Sequence, residues 1–270
     1  MELDLLLVLL LVLTGLGAGM VDAIAGGGGM ITLPVLMATG MSPVEALATN
    51  KLQGSFGSFA ASLYFVRRKM VKLAEMKLLI ACTFVGAVAG TVLVQMLDTS
   101  LLATVMPILL VIVALYFMFS RSISDEDSER RISEGVFAFT FAAAIGFYDG
   151  FFGPGTGTFF ALAFVAMAGY NLKKATANTK VLNFTSNIAA LIFFAIGGNI
   201  IWLAGFIMAA GQLVGGQLGA RLVMSKGTRL VRPLVVVVTL AVSAKLFWQQ
   251  YQDGSFQQLF ATLTHMVAGV

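Results

Sequence analysis

The 270-residue chain is 59% hydrophobic and only 11% charged, with a mean hydropathy of +0.93. A soluble domain carries about 25% charged residues, so this composition excludes a soluble globular protein and indicates a polytopic protein of the lipid bilayer. The net charge of +4 arises from short basic clusters without interleaved aromatics, which speaks against a nucleic-acid partner, and a single cysteine, Cys82, excludes a disulfide framework or a cysteine metal cluster.

The chain opens with Glu2 and Asp4 and has no basic region before its first apolar run, so that run is expected to be a retained span, not a cleaved signal peptide. Apolar segments of about 20 residues, the length that crosses a bilayer as a helix, lie near 3–25, 46–66, 74–97, 101–120, 135–152, 176–197, 201–223 and 230–248. Two shorter ones, 28–40 and 157–171, follow glycine runs. Nothing shows the alternation of a transmembrane barrel, so the expected fold is all-α.

The glycine runs recur. Gly19, Asp22, Gly26 and Gly28 return as Gly146, Asp149, Gly153 and Gly155 at an offset of 127. At an offset of 129, Ala48-Thr49-Asn50-Lys51 answers Ala177-Asn178-Thr179-Lys180, and Gly86 and Gly90 answer Gly215 and Gly219. The expected organisation is a first membrane repeat (1–120), a charged linker (121–134), a second repeat (135–248) and a tail (249–270). For the tail, an interfacial amphipathic helix and a loosely ordered terminus are both open, and His265 within it is given no role.

Basic residues cluster at Arg67, Arg68, Lys69, Lys72 and Lys77, at Lys173 and Lys174, and at Lys226, Arg229 and Arg232. The positive-inside rule puts these loops and the linker in the cytoplasm. The Asn50-Lys51 helix then runs inward and the Asn178-Lys180 helix outward, so the repeats are expected to be inverted, each a glycine-tipped hairpin followed by three crossings. The parallel arrangement, with Lys173, Lys174, Lys226 and Arg229 outside, is the alternative.

A charge near the bilayer centre costs about 2.5–3.5 kcal/mol even on the mildest scale, so Asp22, Lys51, Asp149 and Lys180 need a reason to be there. The functional reading encloses a hydrated site between two hairpin tips and two polar helices. Lys51 and Lys180 attract an anion, while Asp22 and Asp149 pair with them, carry protons or play a structural part. The bland readings are snorkelling for the lysines and capping of the broken helices for the aspartates. Gly26, Gly28, Gly153 and Gly155 break the chain and let backbone approach a ligand, and helices starting at Met30 or Thr158 direct positive N-terminal ends at the cavity. Asn50, Gln53, Asn178, Thr179 and Asn183 complete the candidate binding set. Ser55, Ser58 and Ser62 line one helical face, as do Thr179, Asn183, Ser186 and Asn187, either as a polar path or as interhelical hydrogen bonds. Gly86 with Gly90, and Gly211 with Gly215 and Gly219, read as close-packing motifs. No metal or cofactor is expected.

On Gly19 to Gly29 with Asp22, Ala46 to Lys51, and their echoes Gly146 to Gly157 and Ala175 to Lys180, the chain resembles the TauE/SafE sulfite exporter family, also called the toluene sulfonate uptake permeases. That resemblance implies a multi-pass permease of the bacterial inner membrane for small anions, often sulfur oxyanions or organosulfonates. It leaves the substrate, the direction of transport, any coupled proton and the oligomeric state open. Pro154 and Thr156 in the second glycine run mark the tips as non-equivalent. A passive anion channel is the near alternative. An intramembrane aspartyl protease is the remote one, since Tyr148-Asp149 matches half of such a site but its Gly-x-Gly-Asp motif is missing.

Overall fold

The computed structural model describes residues 4–119 and 127–226, with Ala244 and Trp248. Apart from Ala244 and Trp248, the expected span at 230–248 lies outside the described residues, as do Arg229, Arg232, the tail with His265 and part of the linker.

Helix α1 (Leu5–Ala25) starts where the Asp4 carboxylate accepts a hydrogen bond from the Leu7 N–H at 2.7 Å, and stops at Gly26, whose φ of 72° favours glycine. Helix α2 (Gly28–Ala38) follows at once; at 1.5 Å per residue its length is about half of a bilayer's ~30 Å core. Helix α3 (Pro43–Arg67) opens on a capping box between Ser42 and Glu45 with Pro43 in the first turn. A 3₁₀ turn (Leu73–Met76) leads to α4 (Lys77–Met96), then α5 (Thr99–Phe119).

In the second half, α6 (Glu134–Phe137) passes through a π-helical turn at Ala138–Ala142 into α7 (Ala143–Phe151). Helix α8 (Thr156–Ala168) comes after the second glycine break, α9 (Leu172–Ile196) is capped by Asn171, and α10 is Trp202–Lys226. The described residues hold no strand, and the fold is that of a polytopic helical membrane protein. Helices α2 and α8 begin two residues ahead of the expected Met30 and Thr158 starts.

Among the described residues, five helical stretches are long and apolar enough to cross a membrane: Leu5–Ile24, Leu73–Met96, Thr99–Tyr116, Leu172–Ile196 and Trp202–Leu222. The expected spans at 46–66 and 135–152 are helical but not among them. The first carries Lys51 and a run of serines and amides, and the second is broken by the π turn.

Glycines set the packing. Cβ atoms at Gly211 and Gly215 of α10 would overlap the carbonyl oxygens of Val12 and Leu16 of α1, and at Gly86 and Gly90 of α4 those of Ala143 and Phe147 of α7. Backbones this close need bare Cα atoms, as the small-residue spacing predicts. Contacts advance together along α1 and α10, so these run parallel, as do α4 and α7. The first helix of each copy thus packs on the fourth helix of the other.

Helices α3 and α9 cross differently. Asn187 Nδ2 donates to Ser58 Oγ at 3.4 Å, Phe59 and Phe184 rings lie 5.4 Å apart, and Ser62 Oγ donates to the Lys180 carbonyl at 2.7 Å. Numbers rise along α3 as they fall along α9, so the two helices are antiparallel. Ser58 and Asn187 are also equivalent positions at the 129 offset, the signature of a two-fold relation between the copies. Ser58, Ser62, Ser186 and Asn187 are all buried; Ser62 and Asn187 donate across this crossing, whereas the Ser58 and Ser186 hydroxyls donate along their own helices.

Candidate functional site

Both glycine breaks meet inside the bundle. A Cβ at Gly26 would overlap Gly157 Cα, and one at Gly157 would overlap Gly26 Cα, so the tips touch backbone to backbone. The second tip is braced. Tyr148 Oη donates to the Pro154 carbonyl at 2.6 Å and the Thr156 hydroxyl lies 2.6 Å from the Gly153 carbonyl, whereas at the first tip the Thr32 hydroxyl stands farther, 3.3 Å, from the Gly28 carbonyl.

Asp22 and Asp149 stand in the last turns of α1 and α7, and Lys51 and Lys180 at matching depth in α3 and α9. Each lysine takes the aspartate of the other copy. Lys51 Nζ donates to Asp149 Oδ1 at 2.9 Å, and the Thr156 hydroxyl, whose one proton is shared with the Gly153 carbonyl, lies 2.8 Å from the same oxygen. Lys180 Nζ lies 3.5 Å from Asp22 Oδ2 and donates to the Asp22 carbonyl, while Asn183 Nδ2 reaches Asp22 Oδ2 at 3.4 Å.

The lysines are each 1% exposed, which overturns the snorkelling reading: their stems point inward to a carboxylate, not outward to an interface. Asp149 Oδ1 is turned to Lys51 and Thr156, and Asp22 Oδ2 to Lys180 and Asn183, not to each other. Nor do the aspartates form the shared-proton dyad of an aspartyl protease, since each is taken by a different lysine.

The two pairs differ. Asp149 is nearly sealed at 3% side-chain exposure, with its second oxygen, Oδ2, buried and without a hydrogen-bond partner, whereas Asp22 is 17% exposed in the looser pair. A buried ion pair is weak evidence of stability, because desolvation offsets much of its attraction. An orphaned carboxylate oxygen adds to that cost, and such groups accumulate where charge is handled.

The remaining candidates divide. A Cβ at Gly153 would stand 2.8 Å from Lys51 Nζ and one at Gly28 2.8 Å from Asp22 Cβ, so both glycines flank the pairs. Asn50 Oδ1 accepts from Thr32 Oγ1 at 2.5 Å and from Gln53 Nε2 at 2.7 Å, leaving Gln53 Oε1 buried and unpartnered, as is Thr179 Oγ1. Two candidates fall elsewhere. Gly155 faces Val113 of α5, and Asn178 Nδ2 turns along α9 to the Lys174 carbonyl at 2.8 Å.

Sequence reasoning missed Thr156 as a partner of Asp149, although a hydroxyl within a glycine run was a signal. It also missed Gln212. This buried α10 side chain fits between Gly19 of α1 and Gly57 of α3, with Oε1 unpartnered; only the two glycines hinted at a neighbour there.

The family model described as Sulfite exporter TauE/SafE matches residues 11–246. Among curated relatives, the "Probable membrane transporter protein YfcA" of Escherichia coli is 51% identical over 234 residues, covering 87% of both chains. The "Probable membrane transporter protein" of Haemophilus influenzae is 44% identical over 250 residues, covering 93% of this chain and 98% of its own. "Probable membrane transporter protein ORF9" of a Sinorhizobium species is 44% identical over 229 residues, covering 85% of this chain and 88% of its own. No solved structure matches the chain.

Proposed function

The chain belongs to the sulfite exporter TauE/SafE family of membrane transporters, and on that premise we propose that it is a secondary transporter of small anions, sulfur oxyanions or organosulfonates, working by alternating access around the two crossed lysine–aspartate pairs. It is a multi-pass protein of the bacterial inner membrane and not an enzyme.

The observation that carries the proposal is the burial of Lys51 and Lys180 against Asp149 and Asp22 where the two tips touch. A carboxylate already in place marks each ammonium as a site for a negatively charged oxygen. An entering oxyanion takes the lysine, and the displaced aspartate lowers its desolvation cost by taking a proton, which couples the anion to a proton. The N-terminal ends of α2 and α8 at the tips favour the same charge. Antiparallel α3 and α9 fit inverted repeats, the arrangement in which one site serves both faces in turn.

The test is flux into proteoliposomes of sulfite, sulfate, thiosulfate and small sulfonates, with and without a proton gradient. Lys51→Ala and Lys180→Ala should abolish flux while the protein remains in the membrane; unchanged flux in both rejects the anion site. Uphill movement driven by the gradient separates a transporter from a passive channel.

A further inference from the structure

On the face of the basic loops a cleft of about 400 Å³ opens between residues 69–79, 130–137 and 164–178. Its rim carries Lys69, Lys72, Arg130 and Lys174, all exposed, against two carboxylates, Glu75 and Glu134. Lys72 is already engaged by Glu75 at 2.8 Å and Lys174 lies 4.0 Å over the Tyr170 ring, so the cations are held at the mouth. The floor is buried and includes Asn178, the candidate that the ion pairs do not use.

The two-fold relation supplies a comparison within the same molecule. At the 129 offset Asn178 corresponds to Thr49 and Lys72 to Ile201. These counterparts are joined across the two copies: the Ile201 N–H of the second donates to Thr49 Oγ1 of the first at 3.1 Å, and Thr49 is fully buried. The segment ahead of α10 is thereby tied down onto α3. At the equivalent place the segment ahead of α4, in the first copy, stands off α9 of the second, and the gap between them is the cleft.

We propose that this cleft is the vestibule that collects a dissolved oxyanion on the basic face, and that its counterpart at Thr49 is shut in this conformation. The assignment rests on the transporter reading and deepens it, naming where the anion enters and which face is open. The excess of cations raises the local concentration of anions at the mouth, and the low-dielectric floor focuses that field. A headgroup phosphate offers the same oxygens as a dissolved anion, so the experiment must separate them.

Cys82 is the chain's one cysteine, and Cys82→Ala gives a background for site-directed labelling with a membrane-impermeant maleimide in everted and right-side-out vesicles. Asn178→Cys should label from the basic face, and sodium sulfate should slow it relative to chloride at equal ionic strength. Lys174→Cys at the rim is a second reporter should Asn178→Cys fail to insert. Met41→Cys, the counterpart of the cleft residue Tyr170, should resist the reagent from the opposite face. Equal labelling at both positions, or no labelling from the basic face, overturns the proposal. Protection by anionic phospholipid but not by sulfate also overturns it, in favour of a lipid site.

In the flux assay, Lys69→Gln with Lys174→Gln should raise KM about tenfold at low salt, with kcat held and the effect lost at high salt. An unchanged KM here while Lys51→Ala still abolishes flux defeats the vestibule alone. Full flux in both Lys51→Ala and Lys180→Ala defeats the transporter reading, whatever the labelling shows.

Discussion

Lys51 and Asp149 lie 98 residues apart in the chain, in different copies of the duplicated unit, yet they meet at 2.9 Å with almost no exposure. The repeat relation carries this pair onto Lys180 and Asp22, which also meet. Neither copy owns a complete buried pair at the tips, so the charged centre exists only as a property of both together.

Lys51→Ala removes the counter-ion of the Asp149 carboxylate, whose Oδ2 already lacks a partner. Breaking a buried pair from one side costs about 3–5 kcal/mol, whereas replacing both partners with apolar residues is often near neutral. Thermal unfolding in detergent should therefore show a lower Tm for Lys51→Ala and recovery in Lys51→Met with Asp149→Leu, with flux absent from both. A double variant that transports normally would contradict the assigned site.

Asp149→Asn keeps a hydrogen-bonding side chain beside Lys51 but cannot exchange a proton. The expected result is anion movement that persists down its own gradient and no longer responds to an imposed pH difference. Proton-driven accumulation by this variant, measured in the same vesicles as the parent, would remove Asp149 from the coupling.

The pairs are unequal, and their dependence on neighbours should be too. Thr156→Val deletes a hydroxyl shared between the Asp149 carboxylate at 2.8 Å and the Gly153 carbonyl at 2.6 Å, while Asn183→Leu deletes a 3.4 Å contact to Asp22. A hydrogen bond to a charged group contributes about 1.5–3 kcal/mol, so Thr156→Val should lower the unfolding temperature by more than Asn183→Leu does. Equal losses would show that the difference in geometry carries no energetic weight.

Gly26→Ala and Gly157→Ala should each push the tips apart and abolish flux, and Gly26 adds strain because its φ is 72°. Gly17 is the control. Within α1 it has no atom within 4 Å of an added Cβ, so Gly17→Ala should leave flux intact and raise stability by up to about 1 kcal/mol through helix propensity. A loss of flux in Gly17→Ala would mean that α1 itself must flex.

Much of this architecture was legible in the chain because lipid makes helix signals strong: apolar length marks the rods, and glycine runs mark where they stop. The expected segment at 74–97 became the 3₁₀ turn and α4, and 101–120 became α5 within two residues. The offset of duplicated residues told which lysine matches which, but not that Lys51 would choose Asp149 over Asp22. That choice depends on α1 and α7 packing on the far copy, a long-range fact set by glycine–carbonyl contacts that local pattern does not encode. Asn178 was grouped with Lys180 because they are two residues apart, and on a helix that spacing puts them on different faces. The non-equivalence expected from Pro154 and Thr156 appears as two short side-chain contacts to the second tip's carbonyls against one longer contact, from Thr32, at the first.

The packing of α1 on α10 has a consequence for how the protein is made. The ribosome releases α1 long before α10, and Lys51 before Asp149, so the first copy enters the membrane with its glycine face uncovered and its lysine lacking a counter-ion. Such distant partners make folding slow and leave the early half exposed to misassembly. The first half should therefore be a substrate for membrane proteases when synthesised alone, and should be rescued when the second half is supplied as a separate polypeptide.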